Sequence, residues 1–475
     1  MSGDADMNFQ SRIDDHDSGN FAAPPGPIEQ VRYACALGAL ASVVAVRGAI
    51  PITHCGPGCA TKQFQALSSI SGYQGGELHV PSTNIGNNEV IFGGADRLNE
   101  LITSTLKVME AELYVVQSGC IPGLVGDDVA NLVNGYRRRG VPIVFAETLG
   151  YRGNNYTGHE TVVRAILDQY VANDDGPAPQ TRHGLVNVWA ALPYQNPFWR
   201  GDLAEIRRIL EGIGLEVNIL FGPASQGLDE WRAIPSAQLN IVLSPWLGLS
   251  VARRLEEVYN QPVLHEPAIP IGARATGAFL RRVGEAVGIE TAKVDAFIAR
   301  EERDYYNYLR DFAHFYAGCT SQYRLPSEIN VVSDSAYALA IAKFFVADLG
   351  LNPGVFVITE NPPESARDSI RAAFRNLAPD IDGEPIFEAD GYRARDLITR
   401  KARVGEYPIL FGSTWEAATA KEIGAPLVEI SYPATDEVVI ARSYVGYRGA
   451  LQLLERTYTT VVRQSTEENP ETAAL

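Results

Sequence analysis

The 475-residue chain contains only five cysteines, and it lacks both an excess of basic residues and long apolar runs. Its formal net charge of −17 disfavours nucleic acid and membrane surfaces as partners, since both attract basic faces. No apolar run reaches the roughly 18 residues that a membrane-spanning helix needs. The acidic, polar N-terminus does not resemble a secretory signal, so we expect a cytoplasmic protein. An odd number of cysteines in that compartment favours metal ligation, redox chemistry or burial over disulfides.

Several catalytic motifs are also missing. There is no GxxxxGK[ST] loop, so we do not expect this chain to hydrolyse ATP itself. No convincing GxGxxG follows a predicted strand, which disfavours a bound nicotinamide cofactor. Neither GxSxG nor HExxH occurs, which disfavours a hydrolase serine and a zinc-protease centre.

Apolar β-branched runs alternate with amphipathic helices along the chain. In LYVVQ–DVANLVNGYRRRG–VPIVFAE, for example, two apolar runs flank a helix with a 3.6-residue apolar stripe. This alternation predicts an α/β fold of parallel sheets that are covered by helices on both faces. We predict a flexible tail over residues 1–27 and three α/β domains over residues 28–184, 185–325 and 326–465.

Capping signals predict where two of the helices begin. Asp202 with Glu205, and Ser413 with Glu416, have the residue types of a helix start. The second pair has the spacing of a capping box.

Three cysteines lie in turns or at predicted helix starts. Cys35 opens the apolar helix CALGALASVVAV, Cys59 ends the turn HCGPGC, and Cys120 lies in SGCIPG. A helix N-terminus carries partial positive charge, which favours a thiolate and the sulfides of an iron–sulfur cluster. Glycine lets the backbone approach a bulky inorganic core. We therefore interpret the three as candidate metal ligands.

The alternative interpretation of each cysteine is simple burial, because an isolated cysteine is often a small core residue. The intervals are 23 residues between Cys35 and Cys59, and 60 between Cys59 and Cys120. Neither matches a compact CxxC set, and three thiols are one short of the usual four-thiolate cluster. A full site would need ligands from elsewhere, most naturally from a second subunit.

The colinear segments CALGAL, HCGPGC, NEVIFGGADRLNELI and SGCIPGLVGDD resemble the first domain of the nitrogenase component 1 superfamily. The resemblance continues through TLGYRGNNYTGHE and PIGARATGAFL to YVGYRGALQLLE. It implies three Rossmann-like domains, and an iron–sulfur cluster between two homologous subunits, α and β. Each subunit of that family donates three cysteines to the cluster, and Cys35, Cys59 and Cys120 match those positions.

Within that superfamily the chain resembles the β subunit. The α subunit holds a catalytic cofactor through a cysteine and a histidine, but the first position falls at or near Ser244, and IARSYVGYRG has no histidine. The resemblance implies an α2β2 heterotetramer that receives electrons from a separate ATP-hydrolysing iron protein. This chain would hold half of a P-cluster-like [8Fe-7S] or a [4Fe-4S] cluster and relay electrons. No catalytic residue is assigned to it.

Some residues depart from the family pattern. Cys55 stands where relatives carry glycine, and it is either a structural residue or an extra thiol at the cluster. Asn154 replaces a serine that can bind the oxidised cluster in nitrogenase β chains. Cys319 matches no ligand and is expected in the core. The histidines His54, His79 and His159 are expected to make ordinary polar contacts.

Among nitrogenase-like reductases, the chain most resembles methylthio-alkane reductase. The resemblance implies cleavage of carbon–sulfur bonds, which releases methanethiol with ethylene or methane. SGCIPG differs from the usual sequence around the third cysteine of nitrogenase β chains, which favours this interpretation. The alternatives are a true nitrogenase β subunit, a cofactor-assembly scaffold and a metal-free α/β binding protein.

Overall fold

The computed structural model describes most of the chain between the two ends. The residues described are 31–62, 80–172, 179–319, 323–401 and 407–468. The predicted tail over residues 1–27 lies outside this part. Within it, no helix has the length and apolar character needed to cross a bilayer.

Twelve strands in the described residues form three separate parallel sheets. The first has the order β1-β2-β3, the second β5-β4-β6-β7 and the third β10-β9-β8-β11-β12. The strands are β1 (Ala49–His54), β2 (Leu113–Ser118), β3 (Ile143–Glu147), β4 (Arg182–Trp189), β5 (Glu216–Asn218), β6 (Ala237–Leu243), β7 (Val263–Glu266), β8 (Glu328–Ser333), β9 (Asn352–Ile358), β10 (Pro385–Phe387), β11 (Pro408–Gly412) and β12 (Leu427–Glu429). We call the parts of the chain around these sheets the first, second and third regions.

Helices cover the sheets on both faces, as the apolar strands predict. In β2, Val115 belongs to one apolar cluster, whereas Tyr114 and Val116 belong to another. Alternate side chains of a strand point to opposite faces, so this sheet is buried on both sides. The α-helices are Leu40–Val44, Asn87–Phe92, Ala95–Val108, Cys120–Val125, Val129–Arg137, Asn155–Ile166, Trp199–Gly212, Leu228–Ala233, Leu249–Tyr259, Gly272–Val287, Thr291–Cys319, Ser335–Lys343, Glu364–Phe374, Gly391–Lys401, Ala417–Ile423 and Gly446–Glu468, with a helical turn at 57–62.

The three sheets follow the order of the three predicted domains, but the predicted boundaries do not coincide with all elements. Strand β4 starts at Arg182, so the boundary at 184/185 falls inside a strand. The C-terminal helix packs on the long helix of the second region, where the rings of Phe312 and Tyr458 are 4.9 Å apart. The remaining boundaries stay predictions.

One of the two predicted helix starts is confirmed and the other is wrong. Ser413 and Glu416 form a reciprocal capping box. The helix that contains Asp202 begins earlier, at Trp199. Asp202 is instead buried among groups from the third region and accepts hydrogen bonds from Ser443 Oγ at 2.9 Å, Tyr444 N at 3.0 Å and the Tyr337 hydroxyl.

Candidate metal centre

The turns after the first sheet's strands carry two of the predicted ligands. The last residues of β1, β2 and β3 are paired in register. Since these strands are parallel, the turns that follow them lie at one edge of the sheet. Cys59 lies in the helical turn at 57–62, after β1. Cys120 begins the short helix Cys120–Val125 after β2, which precedes the helix Val129–Arg137.

Cys35 reaches the same edge through the loop that follows β3. It forms an isolated antiparallel bridge with Asn154, and Asn155 N donates to Ala34 O at 2.9 Å. Cys35 is the N-cap residue of the short helical turn Ala36–Ala39, so it does open a helix, as predicted. We call the group of Cys35, Cys59 and Cys120 the cysteine edge.

Gly150 lies beside two of these thiols, those of Cys35 and Cys120. A Cβ atom at Gly150 would lie 2.9 Å from Cys35 Cβ and 3.1 Å from Cys120 Sγ. Gly150 N also donates a hydrogen bond to Cys120 Sγ at 3.2 Å. Any side chain at this position would fill the space between the two thiols, and glycine leaves it open.

Cys59 interacts electrostatically with the other two thiols. Burial raises the pKa of Cys59, and Cys35 and Cys120 raise it further because like charges repel. In the chain alone, burial and the two neighbouring thiols therefore outweigh the stabilisation that a helix start would give the Cys59 thiolate. Cys59 lies within electrostatic range of both thiols, and ionising all three would need positive charge between them, which iron ions would supply.

The donor set fits a multinuclear iron–sulfur core. Within the described residues, no group of three or more His, Cys, Asp or Glu side chains is spaced to hold one metal ion. Cys35 and Cys59 are exposed, Cys120 is half-buried, and all three lack disulfides. Soft thiolates around an open face suit an iron–sulfur core, whose remaining ligands a partner would supply. The assignment of the three as ligands stays a prediction.

Cys55 lies beside the cysteine edge but is buried at 1% exposure. Its Sγ is 3.7 Å from Ser82 Oγ, and a Cβ atom at Gly119 would lie 2.9 Å from its Cβ. Burial raises the pKa of the Cys55 thiol, and hydrogen bonding with Ser82 partly opposes that shift. These contacts support the structural interpretation of Cys55.

His54 joins the end of β1 to neighbouring loops. Its Nδ1 is 3.2 Å from Thr83 Oγ1, and its Nε2 is 3.0 Å from Asp127 Oδ2. Asp127 Oδ1 in turn accepts a bond from Gly94 N at 2.8 Å. Burial lowers the pKa of His54, although Asp127 opposes the shift. Both ring nitrogens are thus engaged in the local contacts that the sequence predicts.

The remaining histidine and cysteine assignments have different outcomes. His159 is buried, its Nδ1 is 2.8 Å from Ser42 Oγ, and burial lowers its pKa to about 3. It is therefore an uncharged core residue with one polar contact. His79 and the side chain of Cys319 lie outside the described residues.

Ser244, where the resemblance places the α subunit's cofactor cysteine, is a local hydrogen-bonding residue. Its Oγ accepts bonds from Trp246 N at 3.4 Å and Leu247 N at 3.1 Å. The adjoining cavity measures about 20 Å³, which is room for one water molecule. Glu360 borders this cavity, and burial together with Asp334 raises its pKa to about 7.

Sequence reasoning missed an apolar patch close to the cysteine edge. Val90, Ile91 and Phe92 end the helix Asn87–Phe92 and are 46%, 70% and 85% exposed. Leu124, on the contacting helix after β2, is 74% exposed. We call these four residues the apolar patch. The signal for it was the run VIF directly before two glycines, and exposed patches of this kind mark protein interfaces.

Known proteins match this chain in sequence along nearly its whole length. The nitrogenase iron-iron protein beta chain of Rhodobacter capsulatus is 22% identical over 466 residues, covering 92% of this chain and 95% of that protein. The nitrogenase molybdenum-iron protein beta chain of Frankia alni is 23% identical over 478 residues, covering 95% and 86%. A light-independent protochlorophyllide reductase chain, the B subunit, of Bradyrhizobium sp. strain BTAi1 is 26% identical over 372 residues, covering 76% and 66%.

The fold matches a solved structure described as "Nitrogenase Cp1 at pH 6.5", with a TM-score of 0.76 and 19% identity. The match covers 94% of this chain and 96% of that one, and it confirms the α/β fold of parallel sheets flanked by helices. Residues 34–462 match the family described as nitrogenase component 1 type oxidoreductase. On that match, which spans all three regions, the chain belongs to the nitrogenase component 1 type oxidoreductase family.

Proposed function

We propose that this chain is the β-type subunit of a nitrogenase-like reductase and holds half of an iron–sulfur cluster. The observation that carries the proposal is the convergence of three thiols at one exposed edge. Cys35 and Cys120 both approach Gly150, and both repel the ionised form of Cys59. The three relatives described above are themselves two beta chains and a B subunit.

A homologous α subunit completes the site in this proposal. Cys35 and Cys59 are exposed, and three thiolates fall short of the usual four. The partner would supply the remaining ligands, and two αβ pairs would form an α2β2 heterotetramer. Three thiolates from this side suit either a P-cluster-like [8Fe-7S] core or a [4Fe-4S] core. Either core supplies one-electron transfer at a potential tuned by hydrogen bonds such as Gly150 N to Cys120 Sγ.

This chain has no phosphate-binding loop of its own. In this proposal a separate iron protein therefore hydrolyses ATP and delivers the electrons. The apolar patch is the proposed docking surface. Phe92 is 85% exposed, and its helix contacts the helix that begins with Cys120. A protein bound at the patch would therefore lie next to the cysteine edge.

The reducing cofactor belongs to the α subunit in this proposal. The cavity of about 20 Å³ beside Ser244 is far too small for an inorganic cofactor. We therefore assign this chain a relay role and no catalytic residue. The proposed location is the cytoplasm, whose reducing conditions suit the four cysteines without disulfides among the described residues.

The proposed reaction is reductive cleavage of a carbon–sulfur bond in small methylthio-alkanes. Two electrons and two protons convert the substrate into methanethiol and a hydrocarbon. The resemblance of the sequence to methylthio-alkane reductase supports this substrate class. A true nitrogenase β subunit and a cofactor-assembly scaffold are the alternatives.

The cluster proposal is tested by replacing Cys59 with alanine in the chain co-purified anaerobically with its α subunit. We expect the Cys59→Ala complex to lose iron, its paramagnetic resonance signal and its reduction rate. Cys55→Ala is the matched control, because Cys55 is buried against Ser82, and it should retain its iron. Unaltered iron content and rate in Cys59→Ala would overturn the proposal.

The substrate is tested with the intact complex, the iron protein and ATP. Dimethyl sulfide should give methanethiol and methane over many turnovers. Reduction of dinitrogen to ammonia without cleavage of dimethyl sulfide would identify a nitrogenase instead. Transfer of a cofactor to a cofactor-free enzyme, without sustained turnover, would identify a scaffold.

A further inference from the structure

A cleft of about 420 Å³ lies between helices of the second and third regions. One wall is the helix Gly272–Val287, and the other is the helix Ser335–Lys343 with its continuation to Asp348. Gly272 has φ +82°, and a Cβ atom there would lie 2.8 Å from Phe344 Cε2, so glycine permits the close approach beside the cleft. Clefts of this size between structural units are common small-molecule sites.

The interior of the cleft is apolar. Ile269, Ile271, Phe279 and Phe344 line it, and each is at most 5% exposed. Ala278 also lines it, and its small side chain leaves the volume unfilled. The first four side chains are already shielded from water, so an apolar ligand body would gain free energy mainly by covering the more exposed alanines of the lining, Ala268, Ala275 and Ala278, at about 25 cal/mol for each Å² removed from water.

Charged groups surround this interior, and one of them lacks a partner. Arg274 Nη2 pairs with Asp348 Oδ1 at 2.9 Å, and Arg282 Nη2 pairs with Glu266 Oε2 at 2.7 Å. Lys343 also lines the cleft and is half-buried. In the part of the chain that the structure describes, its Nζ forms neither an ion pair nor a hydrogen bond.

The environment of the half-buried Lys343 disfavours its charged form. Burial lowers the pKa of Lys343, Glu266 opposes that shift, and the two arginines add to it. A cation that has lost part of its hydration gains free energy when an anion pairs with it.

We propose that this cleft binds a small monocarboxylate with an apolar body. The carboxylate pairs with Lys343 Nζ, and the apolar body packs along the alanines of the cleft wall, Ala275 and Ala278. One unpaired cation matches one negative charge, whereas Glu266 and Asp348 repel the second charge of a phosphate. The ligand would contact both walls and so hold the second and third regions together.

Octanoate serves as the probe, and calorimetric titration of the full-length chain measures its affinity. We expect octanoate to bind at least about tenfold more tightly than octanol, which has the same chain without the charge. Octyl phosphate should bind more weakly than octanoate. No binding of octanoate, equal binding of octanol, or tighter binding of octyl phosphate would each overturn the proposal.

Variants locate the site. Lys343→Met should weaken octanoate binding about tenfold and leave octanol binding unchanged. Ala278→Leu, which fills the cleft, should weaken the binding of both probes. Lys421→Met, at an exposed lysine outside the cleft, is the matched control and should bind octanoate as the wild type does.

Thermal unfolding supplies a second readout, because a ligand that binds only the folded state raises the Tm. Octanoate should raise the Tm of wild type and of Lys421→Met, but not that of Lys343→Met. Equal octanoate affinity in Lys343→Met and wild type would contradict the site. A negative result would leave the cluster proposal standing, since no residue of the cysteine edge lines this cleft.

Discussion

Cys35 and Asn154 form an isolated antiparallel bridge, which ties a predicted cluster ligand to the loop after β3. The Asn154 side chain extends this connection in two directions. Its Oδ1 accepts bonds from Tyr156 N at 3.1 Å and Thr157 N at 3.3 Å, and so caps a helix. Its Nδ2 donates to Glu360 O at 2.7 Å. One residue thus links the Cys35 turn to the third region.

Replacing Asn154 should therefore affect both stability and the cluster. We expect Asn154→Ala to lower the free energy of unfolding by about 2 kcal/mol, from the lost cap and the lost bond to Glu360. Asn154→Ser keeps a capping oxygen and should lose about 1 kcal/mol. Urea unfolding measures both values, and iron content should fall more in the alanine variant. Equal stability of the two variants would show that the cap contributes nothing.

Gly150→Ala should close the space between two of the thiols. The added Cβ would lie 2.9 Å from Cys35 Cβ and 3.1 Å from Cys120 Sγ, so we expect a loss of about 1–3 kcal/mol of stability from crowding. Iron content of the αβ complex should drop as well. Gly135→Ala, in the helix Val129–Arg137, is the matched control, because a Cβ atom there would come no closer than 3.9 Å to any neighbouring atom. If Gly150→Ala bound iron like the control, the space at Gly150 would be irrelevant to the cluster.

Phe92→Ala should weaken docking of the iron protein without affecting folding, because the side chain is 85% exposed. We expect the concentration of iron protein that gives half-maximal reduction rate to rise about tenfold, as for an aromatic interface residue. Ile440→Ala, at a 65% exposed residue of the third region, is the control and should not change it. An unchanged half-maximal concentration in Phe92→Ala would place the docking surface elsewhere.

Asp202 should make the stability of the protein depend on pH. Burial raises its pKa to about 6 from 3.8. The folded state then binds the Asp202 proton more tightly than the unfolded state does. The resulting contribution of Asp202 to the free energy of unfolding is fully present below about pH 4 and is lost as the pH rises to about 6. The loss amounts to about 3 kcal/mol at 1.36 kcal/mol per pKa unit.

Asp202→Asn removes this titration. Relative to wild type, the variant should gain about 3 kcal/mol in free energy of unfolding between about pH 4 and pH 7, as followed by urea unfolding at each pH. Asp229→Asn, at an 80% exposed aspartate, is the control and should show no such gain. A constant difference between Asp202→Asn and wild type would mean that Asp202 titrates normally in the folded state.

The local features of the chain could be read from the sequence because they depend on neighbouring residues. Apolar runs of strand length and a 3.6-residue helical stripe predict parallel α/β units. Ser413 and Glu416 of the capping box are only three positions apart, and the structure has the box as predicted. The turns around Cys59 and Cys120 were visible as short glycine-containing segments. Colinear motifs along the chain were sufficient to indicate the superfamily.

What only the tertiary structure decided involves residues far apart in the chain. The bridge between Cys35 and Asn154 brings the first cysteine to the same edge as the other two. Asp202 had the residue type of a helix cap, but packing against the third region made it a buried acceptor. The apolar patch and the cleft at Lys343 likewise depend on which surfaces remain uncovered after the helices pack. Such contacts follow from chain topology and burial, which local residue patterns do not encode.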